Sequence, residues 1–128
     1  MPIINLKTIL IADAITCAGV LALGLFAVDP VAVLLGLPVG VVSAGAWICL
    51  AAALPMFAAA AQTVPNPALV KLIAIGNLGW VAASLAVAAA FVSQMTGIGL
   101  AVVVAQALGV LAFAILEWKG AAPRLATA

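Results

Sequence analysis

Histidine and tyrosine are absent from the chain, cysteine occurs twice, and only four basic and three acidic side chains are spread over its 128 residues. Without histidine the usual axial ligand of b-type haem and of bound chlorophyll is missing, as is the commonest ligand of zinc and copper, so neither a cofactor nor a metal is expected. The basic residues, Lys7, Lys71, Lys119 and Arg124, are too few and too scattered to form a phosphate-binding surface, which argues against nucleic acid as a partner. The chain also lacks Cys-x-x-Cys, a Gly-rich phosphate loop with its Lys, and a catalytic Ser with His and Asp. An intramembrane hydrolase would need paired ionisable groups or a Ser with a base, and Asp13 alone supplies neither, so no enzymatic activity is expected.

What the chain does have is apolar surface. Hydrophobic residues make up 70% and charged residues 5%, with a mean hydropathy of +1.50, so water is not its solvent. A run such as Val39 to Ala61 offers no charged face and must lie against lipid or another helix. Four such stretches, 7–27, 39–61, 68–92 and 98–117, are each long enough to cross a bilayer core of about 30 Å. Asp29-Pro30 and Gly36-Leu37-Pro38 break the first connection, Pro65-Asn66-Pro67 the second and Ser93 to Gly97 the third. Connections this short join antiparallel neighbours. The predicted fold is all-α, a single integral membrane domain over 1–128 forming an antiparallel four-helix bundle.

The first span reads as a retained helix, because Asp13 interrupts its apolar core and Leu25-Phe26-Ala27 is a poor cleavage site. Within 29–38, Asp29 as N-cap and Pro30 at N1 predict a short helix lying at the outer interface. All four basic residues fall in the N-tail, the middle loop or the C-tail, so both termini are expected in the cytoplasm and the protein in the inner membrane. Trp118, next to Lys119, suits an interfacial anchor. Cys17 and Cys49 lie at similar depths inside neighbouring spans and read as free packing thiols.

Polar side chains in hydrocarbon are costly and each needs a reason. An ionised Asp13 costs about 2.5 to 3.5 kcal/mol on insertion, against about 3 to 5 kcal/mol returned by the apolar residues of its span. Asn77 lies as far after Lys71 as Asp13 lies after Lys7, so the two are expected at one depth. Pro55 reaches that level on the second span and frees the carbonyl of Ala51, which predicts an inner-half cluster of Asp13, Asn77 and that carbonyl. Asn77, Trp80 and Ser84 share one face of the third span, and the Trp80 indole needs a partner inside the bundle. Gln106 sits at the depth of Ser84, predicting a hydrogen bond between them, and shares its face with Val110, Phe113 and Glu117. Ser43 and Trp47 read as packing residues. The ladder Ala101, Ala105, Gly109 is the expected contact seam, with the bundle or with another subunit.

The segments Ala12-Asp13-Ala14, Leu35-Gly36-Leu37-Pro38, Asn77-Leu78-Gly79-Trp80-Val81 and Gln106-Ala107 together resemble a group of small uncharacterised four-helix bacterial inner-membrane proteins. That resemblance implies a bacterial inner-membrane address and transfers no active site. The chain is also similar to the small multidrug-resistance transporters in its length, its four spans and a carboxylate in the first, here Asp13. It departs from them in having Asp rather than Glu, no Tyr and a one-sided charge bias. The expected function is therefore that of a non-catalytic membrane protein, an accessory or structural subunit or a self-associating bundle. Its partners would be lipid and other membrane subunits or itself. A small proton-coupled transporter using Asp13 is the alternative.

Overall fold

A computed structural model of the chain describes residues 5–121. Among them the regular elements are five α-helices: α1 (Leu6–Phe26), α2 (Val28–Leu35), α3 (Val39–Ala61), α4 (Pro67–Phe91) and α5 (Gly97–Ala121). Four of these, α1, α3, α4 and α5, are long and apolar enough to cross a membrane. Arg124, counted above with the basic C-tail, lies outside the described residues.

Local chemistry sets the helix ends. Asn5 Oδ1 accepts from the Lys7 N–H at 2.8 Å and starts α1. Asn66 Oδ1 does the same for α4 with the N–H groups of Ala68 and Leu69, while Pro67 occupies a first-turn position whose N–H would have no partner. The short helix begins earlier than the sequence suggested: its N-cap is Ala27, not Asp29, and Asp29 and Pro30 stand inside its first turn. Pro30 has no N–H for the Phe26 carbonyl and its ring would clash there, so α1 cannot run on and the chain bends at Ala27. At the other end Gly36 adopts φ 72°, and its N–H reaches Ala32 O at 2.8 Å. A Cβ there would lie 2.5 Å from the Gln94 carbonyl oxygen, so only glycine fits.

The fourth long helix continues to Ala121 rather than stopping at Glu117. A charged residue beside Trp118 and Lys119 reads as the end of an apolar span. In the fold, however, the Glu117 side chain is turned inward while Trp118 and Lys119 face outward.

The helices assemble as two antiparallel pairs, α1 on α3 and α4 on α5, which meet less extensively through α1 with α5 and α3 with α4. Small residues bring the first pair close: a Cβ on Gly24 would lie 2.6 Å from Ala46 Cβ and 3.2 Å from the Val42 carbonyl oxygen. Two dry clusters close the bundle. Leu10, Ala14, Met56, Val70, Ile73 and Ala121 fill the end near the N-terminus of α1, and Leu37, Ala88 and Val103 fill the opposite end. At that opposite end the α4–α5 loop grips α2. The Thr96 N–H donates to Leu35 O at 3.1 Å, its hydroxyl donates to Leu34 O at 2.6 Å, and Gln94 Nε2 donates to Gly36 O. The last carbonyls of α2 are thereby satisfied without water. Gly99 is in backbone contact with Leu35, where a side chain would not fit.

The outward surface is apolar on every helix, with Ile15, Leu54, Leu72, Leu85 and Leu108 all more than half exposed. Exposure on this scale in a monomer means that lipid or protein covers it. Trp47 belongs to this outward set at 57% exposed, which corrects the reading of it as a packing residue. The Trp80 ring, not Trp47, packs inward, 3.4 Å from the position of a Cβ on Gly45.

Candidate functional site

The polar side chains predicted to need partners find them in two groups, both on inward faces. In the first, Asn77 Nδ2 donates one hydrogen to Asp13 Oδ2 and the other to Glu117 Oε1, each at 2.7 Å. Asp13 is 1%, Asn77 5% and Glu117 0% exposed, so three helices meet here around one amide. Both acceptors lie within one hydrogen-bond length of a single nitrogen, so the two acids are close neighbours. The remaining Glu117 oxygen, Oε2, is buried with no partner. Lys71, the basic residue near this level on α4, does not reach the acids; its Nζ stands 5.2 Å from the centre of the Trp118 ring.

The second group follows along α4, from Trp80 about one turn beyond Asn77 to Ser84 about two turns beyond it. Trp80 Nε1 donates to Gln106 Oε1 at 2.7 Å, and Gln106 Nε2 donates to Ser84 Oγ at 2.9 Å and to the Val103 carbonyl at 2.8 Å. This chain joins α4 to α5 within one helix pair. The Asp13–Asn77–Glu117 cluster instead ties α1 to the α4–α5 pair across the looser junction.

Between the two pairs lies a cavity of about 400 Å³. Its lining is mostly apolar, with Val20, Ile48, Leu72 and Phe113, and its polar points include Asp13, Thr16, Asn77, Trp80 and Gln106. Glu117 does not line it and stands behind Asp13 and Asn77. Thr16, Leu72 and Gly76 are lining residues with exposed surface, so the cavity communicates with the outside of the bundle. Pro55 reaches the cavity as well.

The structure thus brings together Asp13 with Asn77, and Trp80 and Ser84 with Gln106. The hydrogen bonds of Asp13 and Asn77 run to each other and to Glu117, not to the Ala51 carbonyl, and the third member of the predicted cluster is corrected accordingly. The premise that Asp13 is an isolated membrane acid falls with this geometry. Glu117 was legible in part, because the spacing Gln106, Val110, Phe113, Glu117 places it on the inward face of α5. Its position beside the span end concealed its burial.

Ala101, Ala105 and Gly109 are exposed, and no packing neighbour lies against Gly109. Within the bundle the buried stripe of α5 is instead Gly99, Val103, Ala107, Ala114, Glu117 and Ala121, so the ladder is not the seam with the bundle. In an alanine-rich helix several faces carry small residues at four-residue spacing, and the inward face is set by Gln106 and Glu117. Cys17 and Cys49 are both free thiols on the cavity wall. Among the described residues no three His, Cys, Asp or Glu side chains converge on a metal site.

Comparisons of the chain with protein-family models, with curated proteins and with solved structures found no match.

Proposed function

We propose that this chain is a small proton-coupled membrane carrier, with the cavity between its helix pairs as the binding chamber and the Asp13–Asn77–Glu117 cluster as its proton site. The observation that carries the reading is the pairing of two buried carboxyl groups on one amide at the edge of a cavity of about 400 Å³. Two like charges this close, with no lysine among the described residues bridging them, repel strongly in apolar surroundings, and a shared proton relieves the repulsion. Asp13 reaches the cavity and Glu117 stands behind it, so an occupant carrying positive charge competes with that proton for the same acid pair. The apolar lining, with the faces of Trp80 and Phe113, suits an organic cation.

The membrane setting is part of the proposal. Lys7, Lys71 and Lys119 stand at one end of the bundle and Asp29 at the other, which supports a bacterial inner-membrane protein with both termini in the cytoplasm. The acid cluster then occupies the cytoplasmic half.

The test uses vesicles containing the purified protein and a trapped pH-sensitive dye, with tetraphenylphosphonium as the probe. The native chain should release protons on addition of the probe, and Asp13→Asn should abolish the response while inserting normally. Absence of any probe-dependent proton movement by the native chain would refute the carrier reading. It would favour the accessory or structural subunit, a reading supported by the outward-facing Ala101 and Ala105, for which crosslinking in native membranes should recover a fixed partner.

A further inference from the structure

The cavity is shut at both ends of the bundle and open on its flank. Towards the lysine end it is closed by the dry cluster of Leu10, Met56, Val70 and Ile73, and towards the other end by Leu37, Ala88 and Val103. The lining residues that keep exposed surface stand on the sides of the helices instead. Ile48 on α3 is 55% and Leu72 on α4 63% exposed, and Ala51 and Gly76 are exposed beside them. Helices α3 and α4 run antiparallel from the turn at 62–66, which brings these four residues to neighbouring levels along the α3–α4 junction.

That junction is lightly held. The side-chain hydrogen bonds of α4 run to α1 and α5, whereas α4 meets α3 through apolar contact, as where the Trp80 ring lies 3.4 Å from the position of a Cβ on Gly45. A Cβ on Gly76 would meet no atom within 4 Å, so the gap beside it is open space. It lies at hydrocarbon depth, since Gly76 stands about 8 Å of helix beyond Lys71 and Ala51 about 15 Å before the end of α3. The rim also carries a free acceptor. Pro55 has no N–H for the Ala51 carbonyl four residues back, and both residues line the cavity. A carbonyl without its N–H is costly in hydrocarbon, and a cation beside it offsets that cost.

We propose that the cavity is loaded sideways from the bilayer, by a lipophilic cation that passes from the acyl chains between α3 and α4, along the Ala51 carbonyl, to Asp13. The class of occupant rests on the carrier reading; the lateral opening rests on the closed ends and the open flank. Without a cation, acyl chains enter the gap.

The experiment takes the full chain in lipid nanodiscs with Trp47→Phe and Trp118→Phe, which leaves Trp80 on the cavity wall as the single tryptophan. Its emission is compared between plain phosphatidylcholine and the same lipid with brominated acyl chains, which quench on contact, and then with iodide, which stays in water. Trp80 should lose emission to the bromolipid and none to iodide. Gly76→Phe and Ala51→Phe, which place a ring on the rim, should restore it, and Gly109→Phe, on α5 and away from that junction, should not. Tetraphenylphosphonium should displace the chains and protect Trp80, read as the ratio of emission in the two lipids so that quenching by the probe itself cancels. Asp13→Asn, and Pro55→Ala, which returns the missing N–H, should each raise the concentration required severalfold. Helical circular dichroism shows that each variant keeps its fold. Bromolipid that leaves Trp80 unquenched, quenching by iodide, or restoration by Gly109→Phe alone overturns the lateral route. Quenching that tetraphenylphosphonium does not relieve overturns the occupant. A native chain quenched by bromolipid that releases no protons in the vesicle assay refutes the carrier reading and leaves the lateral opening standing.

Discussion

Replacing Asn77 by leucine removes the one donor that Asp13 Oδ2 and Glu117 Oε1 share. Interhelical hydrogen bonds in membrane proteins average about 0.6 kcal/mol and reach about 1.7 kcal/mol. Both bonds here are short, buried and made to carboxyl groups, so each belongs at the upper part of that range and the single substitution should cost about 2 to 3 kcal/mol. Most of this is the penalty of leaving Glu117 buried with neither oxygen satisfied, since Oε2 already has no partner. Removing the stranded group should therefore restore stability: Asn77→Leu with Glu117→Leu should be less destabilised than Asn77→Leu alone, because apolar replacement of both partners avoids the unsatisfied acid. The measurement is reversible unfolding in bicelles by steric trapping or denaturing detergent, arranged as a double-mutant cycle. Additive effects of the two substitutions, or no loss from Asn77→Leu, would sink the account of Asn77 as the bridge between the acids.

Two further outcomes follow from close backbone approach. Gly24→Leu must push α1 from α3, since even a Cβ would lie 2.6 Å from Ala46 Cβ; a loss of about 1 to 3 kcal/mol is expected in the same unfolding assay, with Ala46→Gly recovering part of it. Gly36→Ala meets both a left-handed φ of 72° and the Gln94 carbonyl, so it should cost more than the about 1 to 2 kcal/mol of the backbone conformation alone and raise hydrogen exchange in the 93–96 loop.

The four long helices were legible because apolar length and turn residues act locally: Asn66-Pro67 starts α4 and Gly36 ends α2 by chemistry confined to a few residues. The meeting of Asp13 and Asn77 was also legible, since each lies six residues beyond a lysine on spans running the same way. What failed to show was anything decided by rotation of a helix about its axis. Hydrocarbon-facing and bundle-facing surfaces are both apolar, so periodicity does not separate them, and Ala101, Ala105 and Gly109 look as fit for a seam as Gly99, Val103 and Ala107. Trp47, read as a packing residue, stands on the outward face for the same reason. Polar residues broke the ambiguity where they occurred. Gln106 fixed the inward face of α5 correctly, and following that face for three more turns leads to Glu117.

That face also explains why the cavity lies where it does. The two helix pairs are joined across their looser junction at two levels, by the Asp13–Asn77–Glu117 cluster at one end and by the grip of Gln94 and Thr96 on the end of α2 at the other. Between these levels the facing residues include Gly76 and Gly109, which have no atom within reach of an added Cβ, together with Ala51 and Ala52. Side chains this small cannot span the gap left by two pairs held at fixed separation, and the large side chains that could fill it, Ile48 and Leu72, are turned partly outward. An apolar void of this size would ordinarily be reduced by collapse of its walls, at a cost that rises with its volume. Here collapse is opposed by hydrogen bonds at both ends. The void is thus a product of the same polar residues that border it, and a substitution that unties the acid cluster should shrink the cavity as well as remove its carboxyl group.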